Sequence, residues 1–308
     1  MILILAPMEG VTDAVFRQVV ARAQRPDLFF TEFTNVNSFA SLKGRKNALE
    51  RFKITETDPP IIAQIWGRVP EYFSETARAL QKMGFFGVDI NMGCPDRHVV
   101  ANGGGAGMIK TPELAVECIR ATKEATELPV SAKTRLSYSN TEGIQYNEWL
   151  PLLLKEQLSM LTVHLRTKTE MSKVPAHYEL IPEILKMRDE IAPETKIIVN
   201  GDVKNRKEAE VLAEKYPGID GVMIGRGAIS NPFCFRETEP TQKELYELLL
   251  YHLEVFERDS RRPFETMRHF FKSYVKDFPG AGEIRNRMMV AENAEEVRRI
   301  VKDAIMGL

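Results

Sequence analysis

Short apolar runs alternate with longer amphipathic segments along most of the 308-residue chain. The runs are almost continuously apolar, which is typical of parallel strands covered on both faces. They predict eight strands, at residues 2–6, 28–31, 60–65, 87–91, 129–133, 160–164, 196–200 and 220–224. The amphipathic segments between them predict helices at 13–23, 71–83, 112–126, 146–156, 180–191 and 206–215.

Residues that cap helices stand at the start of three of these segments. Asp13, Thr111 and Asn205 have side chains that accept hydrogen bonds from the free amides of a first helical turn. Pro112 stands where a first helical residue would, and its missing N–H costs nothing there. These signals predict where three of the helices begin.

Eight strands that alternate with helices predict an α/β fold, the (β/α)8 TIM barrel. A doubly wound open sheet is the alternative. Polar or small residues lie at the ends of six strands, namely Gln64, Asn91, Lys133, His164, Asn200 and Gly225. A barrel gathers the carboxyl ends of its strands at one mouth, whereas an open sheet spreads them along a line. Chemistry concentrated at strand ends therefore favours the barrel.

The strand pattern stops near residue 237. After it, segments 243–256, 263–276 and 294–306 have the pattern of helices. We therefore expect a barrel domain at residues 1–236 and a small helical domain at residues 237–308.

Charge and cysteine content narrow the function classes. With 42 Lys+Arg against 43 Asp+Glu, the formal net charge is −1, which excludes a protein that is basic throughout. The charge is uneven, since residues 43–53 hold five basic residues against one acidic, and residues 258–287 hold eight against four. Three isolated cysteines argue against a disulfide scaffold and a structural zinc. The opening apolar run ends at Pro7, too early for a signal peptide or a membrane span, so we expect a soluble, cytoplasmic protein.

The densest motif is Asp89-Ile90-Asn91-Met92-Gly93-Cys94-Pro95, with a glycine cluster at residues 103–107. Cys118 and Cys234 fit the usual fate of free cysteine, a small buried hydrophobe. Cys94 fits it poorly, because Gly93 and Pro95 predict a loop, and loops run over surfaces. Its thiol is then a candidate proton donor. The glycine cluster fails the dinucleotide-binding pattern because Met108 stands at the last glycine position, and it predicts a flexible or closely packed loop.

Two further groups of residues follow strands. Asn200-Gly201-Asp202 and Gly225-Arg226-Gly227 follow the seventh and eighth strands, where TIM barrels often bind phosphate. Two ordinary tight turns with a surface arginine are the alternative. Gln64, Lys133 and His164 end three other strands, and they would meet at the mouth close to a phosphorylated ligand.

Seven motifs in order resemble the tRNA-dihydrouridine synthases. They are residues 6–13 (Ala-Pro-Met-Glu-Gly-Val-Thr-Asp), 31–33 (Thr-Glu-Phe), 91–95 (Asn-Met-Gly-Cys-Pro), 133–135 (Lys-Thr-Arg), 163–168 (Val-His-Leu-Arg-Thr-Lys), 200–202 and 225–227. The opening motif looks most like the bacterial branch that acts on uridine 16. Two features depart from the pattern: Leu165 stands where the family usually has glycine, and the loop at 169–178, which includes His177, follows another sequence. Both departures bear on the RNA target more than on the chemistry.

The resemblance implies an FMN enzyme that draws electrons from NADPH, with NADH as the alternative donor, and reduces the C5–C6 bond of a uridine in RNA. Cys94 would protonate C5. The implied flavin contacts are Pro7, Met8, Glu9, Gln64, Lys133, His164, Asn200, Gly201, Asp202, Gly225 and Arg226. The predicted substrate contacts are Asn91, Arg135, Arg268, His269 and Lys272.

The two basic stretches agree with an RNA substrate. Near Arg268, the aromatic residues Phe270, Phe271 and Tyr274 are interleaved with charge, as base stacking favours. A solvated helix face with an apolar core side is the alternative for these aromatics. We expect tRNA as the RNA and a 23S rRNA uridine as an alternative, with no obligate protein partner. Two other functions compete: a flavin oxidoreductase of free pyrimidines, and a non-catalytic RNA chaperone on a barrel scaffold.

Overall fold

The barrel strands form one parallel sheet. The computed structural model describes residues 1–58, 60–141, 143 and 145–306. Within these residues the strands are β1 Ile2–Leu5, β2 Phe29–Phe30, β3 Thr34–Asn35, β4 Ile61–Trp66, β5 Gly87–Met92, β6 Val130–Arg135, β7 Met160–His164, β8 Lys196–Asn200 and β9 Gly221–Ile224.

The sheet closes on itself. Neighbouring strands follow the order β1-β9-β8-β7-β6-β5-β4-β2. A parallel bridge between Ile4 and Leu28 joins the two ends of this order, and Leu5 N donates to Leu28 O at 3.2 Å. The short β3 pairs with the carboxyl end of β4 at Ile65 and Trp66, beyond the part of β4 that pairs with β2. The predicted TIM barrel is confirmed, and the open-sheet alternative is wrong.

Helices surround the barrel. They are α1 Ala14–Gln24, α2 Val36–Ala40, α3 Leu42–Arg51, α4 Pro70–Met83, α5 Arg97–Ala101, α6 Pro112–Glu124, α7 Tyr146–Leu154, α8 Ile181–Ile191, α9 Arg206–Lys215 and α10 Arg226–Ser230. The C-terminal tail adds α11 Gln242–Asp259, α12 Phe271–Tyr274, α13 Ala281–Val290 and α14 Ala294–Met306. Turns of 3-10 helix lie at Gly105–Lys110, Tyr178–Leu180 and Phe264–Phe270.

Two of the three predicted N-caps act through their side chains. Asp13 accepts from the amides of Val15 and Phe16, and Asn205 accepts from the amide of Glu208. Thr111 occupies the cap position of α6 without a side-chain hydrogen bond, so its predicted capping bond is wrong. Its φ of −135° and ψ of 65° lie away from the extended conformation that Asp13 and Asn205 adopt as caps. Pro112 is in the first turn as predicted.

The interior of the barrel changes from apolar to polar along its axis. Its lower part is an apolar cluster that includes Ile4, Phe30 and Ile198. Above this cluster the inward-facing residues of β4, β5 and β6 are Gln64, Asp89 and Ser131, and all three are buried. The polar layer supports the floor of the mouth at the carboxyl ends of the strands.

The tail packs against α1. The ring of Phe16 stacks on Phe270 with centroids 5.2 Å apart, and Gln18 Nε2 donates to the Asp259 carboxylate at 3.0 Å. Phe270, Phe271 and Tyr274 are all at most 8% exposed. The prediction that these aromatics stack on RNA bases is therefore wrong, because they fill the core between α1, α11 and α12.

The predicted division of the chain at residue 237 stays a prediction. Segment 263–276 is a 3-10 turn followed by the short α12, and α13 has no counterpart among the predicted helices. The last two residues of the predicted domain, Gly307 and Leu308, lie outside the described residues. No helix among the described residues is both long and apolar enough to cross a bilayer.

Candidate active site

A cavity of about 1130 Å³ opens at the carboxyl ends of the strands, and we call it the mouth cavity. Twelve of the predicted site residues line it: Pro7, Met8, Asn91, Cys94, Lys133, Arg135, His164, Asn200, Gly201, Asp202, Gly225 and Arg226. These residues lie at or just after the carboxyl ends of six strands, β1 and β5 to β9, so the barrel topology brings them together. The structure places this group at one mouth, and the role of each residue stays a prediction.

Five predicted residues do not line the mouth cavity. Gln64 is fully buried beneath it, and the Glu9 carboxylate lies in a neighbouring cavity, paired with Arg51. Arg268 is half-buried in the tail, where its Nη2 donates to Ala291 O at 3.2 Å. His269 and Lys272 are exposed on the tail surface. For Gln64 the reason is depth, since β4 ends at Trp66, two residues beyond Gln64 and one beyond the predicted end of the strand.

The Cys94 loop is held from below by Asn91. Asn91 Oδ1 accepts from the amides of Gly93 at 3.1 Å and of Cys94 at 2.9 Å. Cys94 itself is half-buried and lines the cavity. Burial raises the pKa of the Cys94 thiol above its ordinary value, so the thiol is protonated at neutral pH. Cys118 and Cys234 are buried, as predicted.

The glycine cluster packs behind this loop. Ala106 N donates to Cys94 O at 3.0 Å. Gly105 has a φ of +53°, and a Cβ there would lie 2.7 Å from Cys94 O. At Gly104 a Cβ would lie 2.5 Å from the Trp66 ring. Of the two conformations that the sequence left open, the structure shows the closely packed loop, and its glycines permit close approach to Cys94 rather than to a ligand.

A buried hydrogen-bond chain sets the orientation of Asn91. Its Nδ2 donates to Gln64 Oε1 at 2.9 Å, and Gln64 Nε2 donates to the Asp89 carboxylate at 2.7 Å. Ser131 Oγ donates to the other Asp89 oxygen at 2.6 Å. Each donor in this chain meets an acceptor, and the chain ends on a carboxylate that accepts twice. Burial raises the pKa of Asp89 to about 6, against the effect of the hydrogen bonds from Ser131 and Gln64.

The wall of the mouth cavity formed by β6 and β7, next to the Cys94 loop, is cationic. Burial, reinforced by the charge of Arg135, lowers the pKa of Lys133 to about 8, which leaves it protonated at neutral pH. Burial and the neighbouring charges of Arg135 and Lys133 hold the pKa of His164 well below 6.5. Because a guanidinium only donates, His164 Nε2 accepts from Arg166 Nη1 at 3.2 Å and the ring proton lies on Nδ1. The cavity therefore presents a neutral imidazole beside a lysine ammonium.

Arg135 connects two loops of the mouth. Its guanidinium is buried and donates to Gly93 O at 2.8 Å, Thr167 O at 2.9 Å and Met171 O at 3.1 Å. These carbonyls lie on the Cys94 loop and on the loop after β7. Arg135 thus holds the loop of the candidate acid in place while it also lines the cavity.

The loops after β8 and β9 share an ion-pair network. Asp202, in the left-handed region at φ +57°, accepts from the buried Arg166 and from Ala176 N at 3.0 Å. Its other oxygen accepts from Arg226 Nη2 at 3.0 Å. Burial alone would raise the pKa of Asp202, but the hydrogen bonds from Arg166 and Ala176 N lower it. The carboxylate is therefore ionised and links the buried Arg166 to Arg226, which lines the cavity.

Fifteen of the residues that line the mouth cavity were absent from the predicted site, among them Tyr178, Ser172 and Lys276. Tyr178 donates its hydroxyl to Gly201 O at 2.5 Å, and Ser172 lies on the loop after β7. Lys276 comes from the tail, where its Nζ donates to Ser230 O at 2.9 Å. Lys276 follows no strand, and only the three-dimensional packing of the tail places it here. Arg166 was part of a quoted motif, and its position two residues after His164 was the signal that could have identified it.

His177 also lies on the loop after β7. It bonds to Glu179 Oε1 at 2.8 Å and Glu170 Oε1 at 3.1 Å, which together raise its pKa against the opposing effect of burial. It forms part of the loop's own ion pairs.

The fold and the mouth cavity define a class: a (β/α)8 barrel with a polar cavity at the carboxyl ends of its strands. The family model for dihydrouridine synthase matches residues 4–306. The chain belongs to the dihydrouridine synthase family and is thereby a flavin-dependent oxidoreductase.

Individual relatives agree with this membership. The chain is 48% identical to the "Probable tRNA-dihydrouridine synthase 2" of Bacillus subtilis, over 97% of this chain and 93% of that protein. It is 50% identical to the "Probable tRNA-dihydrouridine synthase" of Staphylococcus aureus, over 97% of this chain and 92% of that protein. Among solved structures, histamine dehydrogenase from Rhizobium sp. 4-9 matches 82% of this chain and 48% of that one, with a TM-score of 0.54 and 12% identity, and it shows the fold alone.

Proposed function

We propose that this protein is a tRNA-dihydrouridine synthase that uses FMN and NADPH to reduce the C5–C6 bond of one uridine in tRNA, with Cys94 as the proton donor to C5. The observation that carries the proposal is a protonated thiol, held rigidly by Asn91 and Arg135, at the edge of a large cationic cavity. The names of its relatives support tRNA as the substrate.

The residues of the mouth cavity fit a flavin mononucleotide. The volume of about 1130 Å³ exceeds that of most small-molecule pockets. A Cβ at Gly225 would stand 3.4 Å from Met8 Sδ, an ordinary van der Waals contact, so the ends of β9 and β1 lie side by side in this wall. We assign the phosphate end to the loops of residues 200–202 and 225–227, where Arg226 supplies positive charge. We assign the ring system to Pro7, Met8, Lys133 and His164.

Each of these residues has a chemical task at the site. When bound and reduced by NADPH, FMN supplies the hydride for C6 of the uracil. Cys94 gives its proton to C5, and the anion that would otherwise build up at C5 and O4 is thereby quenched. Lys133 would place a positive charge beside the bound cofactor and would stabilise the negative charge of its reduced form. Asn91 keeps the Cys94 backbone in place.

The target base must leave its stack to reach the bottom of the mouth, as other base-modifying enzymes require. The opening motif makes uridine 16 the first position to examine. A 23S rRNA uridine is the alternative target.

The test is to incubate the purified protein with NADPH and unmodified tRNA transcripts and to map dihydrouridine by mass spectrometry. We expect one modified position. We expect Cys94→Ala to keep its visible flavin absorbance and RNA affinity while turnover falls about 10²–10⁴-fold, the typical contribution of a general acid. Cys118→Ala is the matched control, because Cys118 lies buried in α6 away from the cavity, and it should retain wild-type turnover.

Several results would overturn the proposal. Reduction of free uridine or uracil without reduction of RNA would favour the free-pyrimidine oxidoreductase. Dihydrouridine in a 23S rRNA fragment but in no tRNA would keep the chemistry and move the substrate. Equal turnover of wild type and Cys94→Ala would remove Cys94 from the reaction.

A further inference from the structure

Three loops at the carboxyl ends of the strands meet at the side chain of Tyr138, beside the Cys94 loop. Tyr138 follows β6, Lys168 follows β7, and Lys110 ends the 3-10 turn of residues 105–110 that packs behind Cys94. Lys110 Nζ lies 3.9 Å and Lys168 Nζ 5.0 Å from the centroid of the Tyr138 ring. We call these three residues the rim cluster. None of the three lines the mouth cavity, so the rim cluster lies outside it.

The backbone of the rim cluster is fixed because the pairing between β6 and β7 continues past the ends of both strands. Lys168 N donates to Ser137 O at 3.0 Å, and the next amide along the chain donates to Tyr138 O at 3.1 Å. On the other side, Ala106 N donates to Cys94 O at 3.0 Å, which ties the 3-10 turn to the Cys94 loop. The rim cluster therefore keeps a fixed position relative to Cys94.

The charges of the two lysines are not neutralised. Among the described residues, neither Lys110 nor Lys168 forms an ion pair or a side-chain hydrogen bond. The Glu170 carboxylate, on the same loop as Lys168, lies 3.1 Å from His177 Nε2 instead. An aromatic face attracts a cation but leaves its charge in place. The rim cluster therefore presents two positive charges that no carboxylate in the described part of the chain balances.

The two basic stretches offer less free charge than their composition suggests. Many of their cations are held in ion pairs, namely Arg45, Arg51, Lys53, Arg258, Arg261 and Arg262. The rim cluster belongs to neither stretch, and its residues are far apart in the sequence, so a count of charges along the chain does not detect it.

Two ammonium groups on one ring have the chemistry of a phosphate site. Because both distances are measured to one centroid, the two nitrogens lie no more than about 9 Å apart. One phosphate, or two successive phosphates of a strand, can therefore meet both lysines. The Tyr138 ring already orders the two side chains, which lowers the entropy lost when an anion binds. An anion also removes the repulsion between the two like charges.

We propose that the rim cluster binds the RNA backbone beside the target uridine, with Lys110 and Lys168 on its phosphate oxygens. The proposal rests on the proposed function, because it takes the mouth cavity as the site of the target uracil. When the base has left its stack and entered the mouth, the phosphates on either side of its ribose stay at the rim. Phosphate contacts fix the register of a nucleic acid on a protein. The rim cluster borders the Cys94 loop, so a phosphate held there places the uracil relative to the thiol.

The first experiment compares Lys110→Ala and Lys168→Ala, alone and combined, with Lys215→Ala. Lys215 is exposed and lies 5.2 Å from the centroid of the Tyr216 ring, but it ends α9 just before β9, at the opposite end of the barrel. The dissociation constant for a labelled tRNA transcript is measured by fluorescence anisotropy over a range of salt concentrations. We expect each lost lysine of the rim cluster to weaken binding roughly 3- to 10-fold. The slope of log K against log salt should fall by about 0.7–0.9 for each. Lys215→Ala should match the wild type.

A second measurement locates the phosphate. Transcripts are prepared with an uncharged methylphosphonate on the 5′ or the 3′ side of the uridine that is reduced. We expect the loss caused by the double variant to shrink on at least one of these transcripts, because the group that the lysines contact is already neutral there. An equal loss on the intact and both modified transcripts would refute a contact beside the target.

Substitutions of Tyr138 test the role of the ring. Tyr138→Phe keeps the ring and should match the wild type, since the Tyr138 hydroxyl forms no hydrogen bond among the described residues. Tyr138→Leu removes the ring while both lysines remain, and it should weaken RNA binding about 2- to 5-fold. Wild-type binding by Tyr138→Leu would show that the ring does not order the lysines.

Two further outcomes would overturn the proposal. If the double variant keeps the wild-type affinity and salt slope, the rim cluster does not bind RNA. If it raises the KM for NADPH and leaves RNA binding unchanged, the site belongs to the electron donor. Flavin absorbance should stay at the wild-type level in all these variants, because none of the substituted residues lines the mouth cavity. Because the salt series measures binding without turnover, failure of the wild type to form dihydrouridine overturns the proposed function separately.

Discussion

A chain of hydrogen-bonded residues holds the backbone of Cys94, the proposed proton donor, in one position. Asn91 accepts from two amides of the Cys94 loop, Gln64 accepts from Asn91, and the Asp89 carboxylate accepts from Gln64. The order of donors and acceptors along this chain permits only one orientation of each amide. Asp89 is therefore a positioning residue, and its buried charge is a cost to stability.

We expect Asp89→Asn to stabilise the protein at neutral pH. Asparagine keeps an acceptor for Gln64, and the Ser131 hydroxyl can turn to accept from the new amide. The pKa of Asp89 rises from 3.8 to about 6 on folding, and these two pKa units correspond to about 3 kcal/mol of unfolding free energy. Thermal unfolding of both proteins, at neutral pH and near pH 4, measures the difference.

The sign of the pH dependence follows from proton binding. Between pH 3.8 and about 6 the folded wild type holds a proton that the unfolded chain has released. Its unfolding free energy therefore falls as the pH rises through this interval and stays lower above it. The difference in unfolding free energy between Asp89→Asn and the wild type should therefore grow as the pH rises through this interval and should be absent near pH 4. An advantage that is equal at both pH values would show that charge is not its cause.

The sequence predicts the residues of the mouth better than it predicts their depth. Lys133 and His164 are polar residues at the ends of apolar strands, and in a closed barrel the polar space at these ends is the mouth cavity. Gln64 looked equivalent, but β4 continues to Trp66, one residue beyond the predicted end, and Gln64 lies inside the barrel.

At the scale of elements, the loops after β8 and β9 act as one unit. Asp202 joins Arg166 of the β7 loop to Arg226 at the start of α10. A Cβ on Gly227 would lie 2.1 Å from Lys204 O, so glycine permits the close packing of α10 against the β8 loop. This unit presents its positive charge to the mouth cavity at the proposed phosphate position.

Arg226→Ala should weaken flavin binding. The Arg226 side chain is 64% exposed, so we expect solvent to screen its charge and the dissociation constant for FMN to rise by about 10-fold, the effect of one charge-assisted hydrogen bond. Visible absorbance after dilution and gel filtration measures the flavin retained. Arg206→Ala is the control, since Arg206 pairs with Glu210 on α9 and does not line the cavity. Full retention by Arg226→Ala would refute the phosphate assignment.

The helices α3 and α13 were not predicted from the sequence, for the same reason in both cases. In α3 the side chains of Leu42 and Leu49 are exposed, and the helix buries little besides Ala48. In α13 the apolar Met289 and Val290 face solvent. Periodicity detects a helix through a buried apolar stripe, and these helices do not present one. The barrel helices, which bury one face on the sheet, were located within about two residues of their ends.

The net charge of the whole molecule is −1, but its basic residues are concentrated in two stretches of the chain. The exposed Lys272 and His269 lie on the tail, and the ion pairs between α3 and the tail join it to the basic stretch of residues 43–53. Many arginines of the two stretches are bound to carboxylates or carbonyls, as Arg262 is to Gly10 O at 2.8 Å and Arg285 to Val275 O at 2.7 Å. The local charge excess therefore overstates the number of free cations that RNA can meet.

Lys272→Ala should reduce the salt dependence of RNA binding. A single lost phosphate contact lowers the slope of log K against log salt by about 1 and weakens binding to all tRNAs alike. Anisotropy titrations over a range of salt concentrations measure both effects. Lys186→Ala is the control, because Lys186 is 75% exposed on α8 and belongs to neither basic stretch. An unchanged slope for Lys272→Ala would place the RNA elsewhere.

The stacking of Phe16 on Phe270 has a consequence for how such enzymes diversify. Because α1 of the barrel and the 3-10 turn of the tail complete one aromatic core, neither partner is buried without the other. The tail also contributes Lys276 to the wall of the mouth cavity. A tail taken from a paralogue would need aromatic residues that pack against α1 and also a residue that completes the wall of the mouth cavity. New target positions therefore arise more readily by point substitution on the existing surface than by recombination of whole segments.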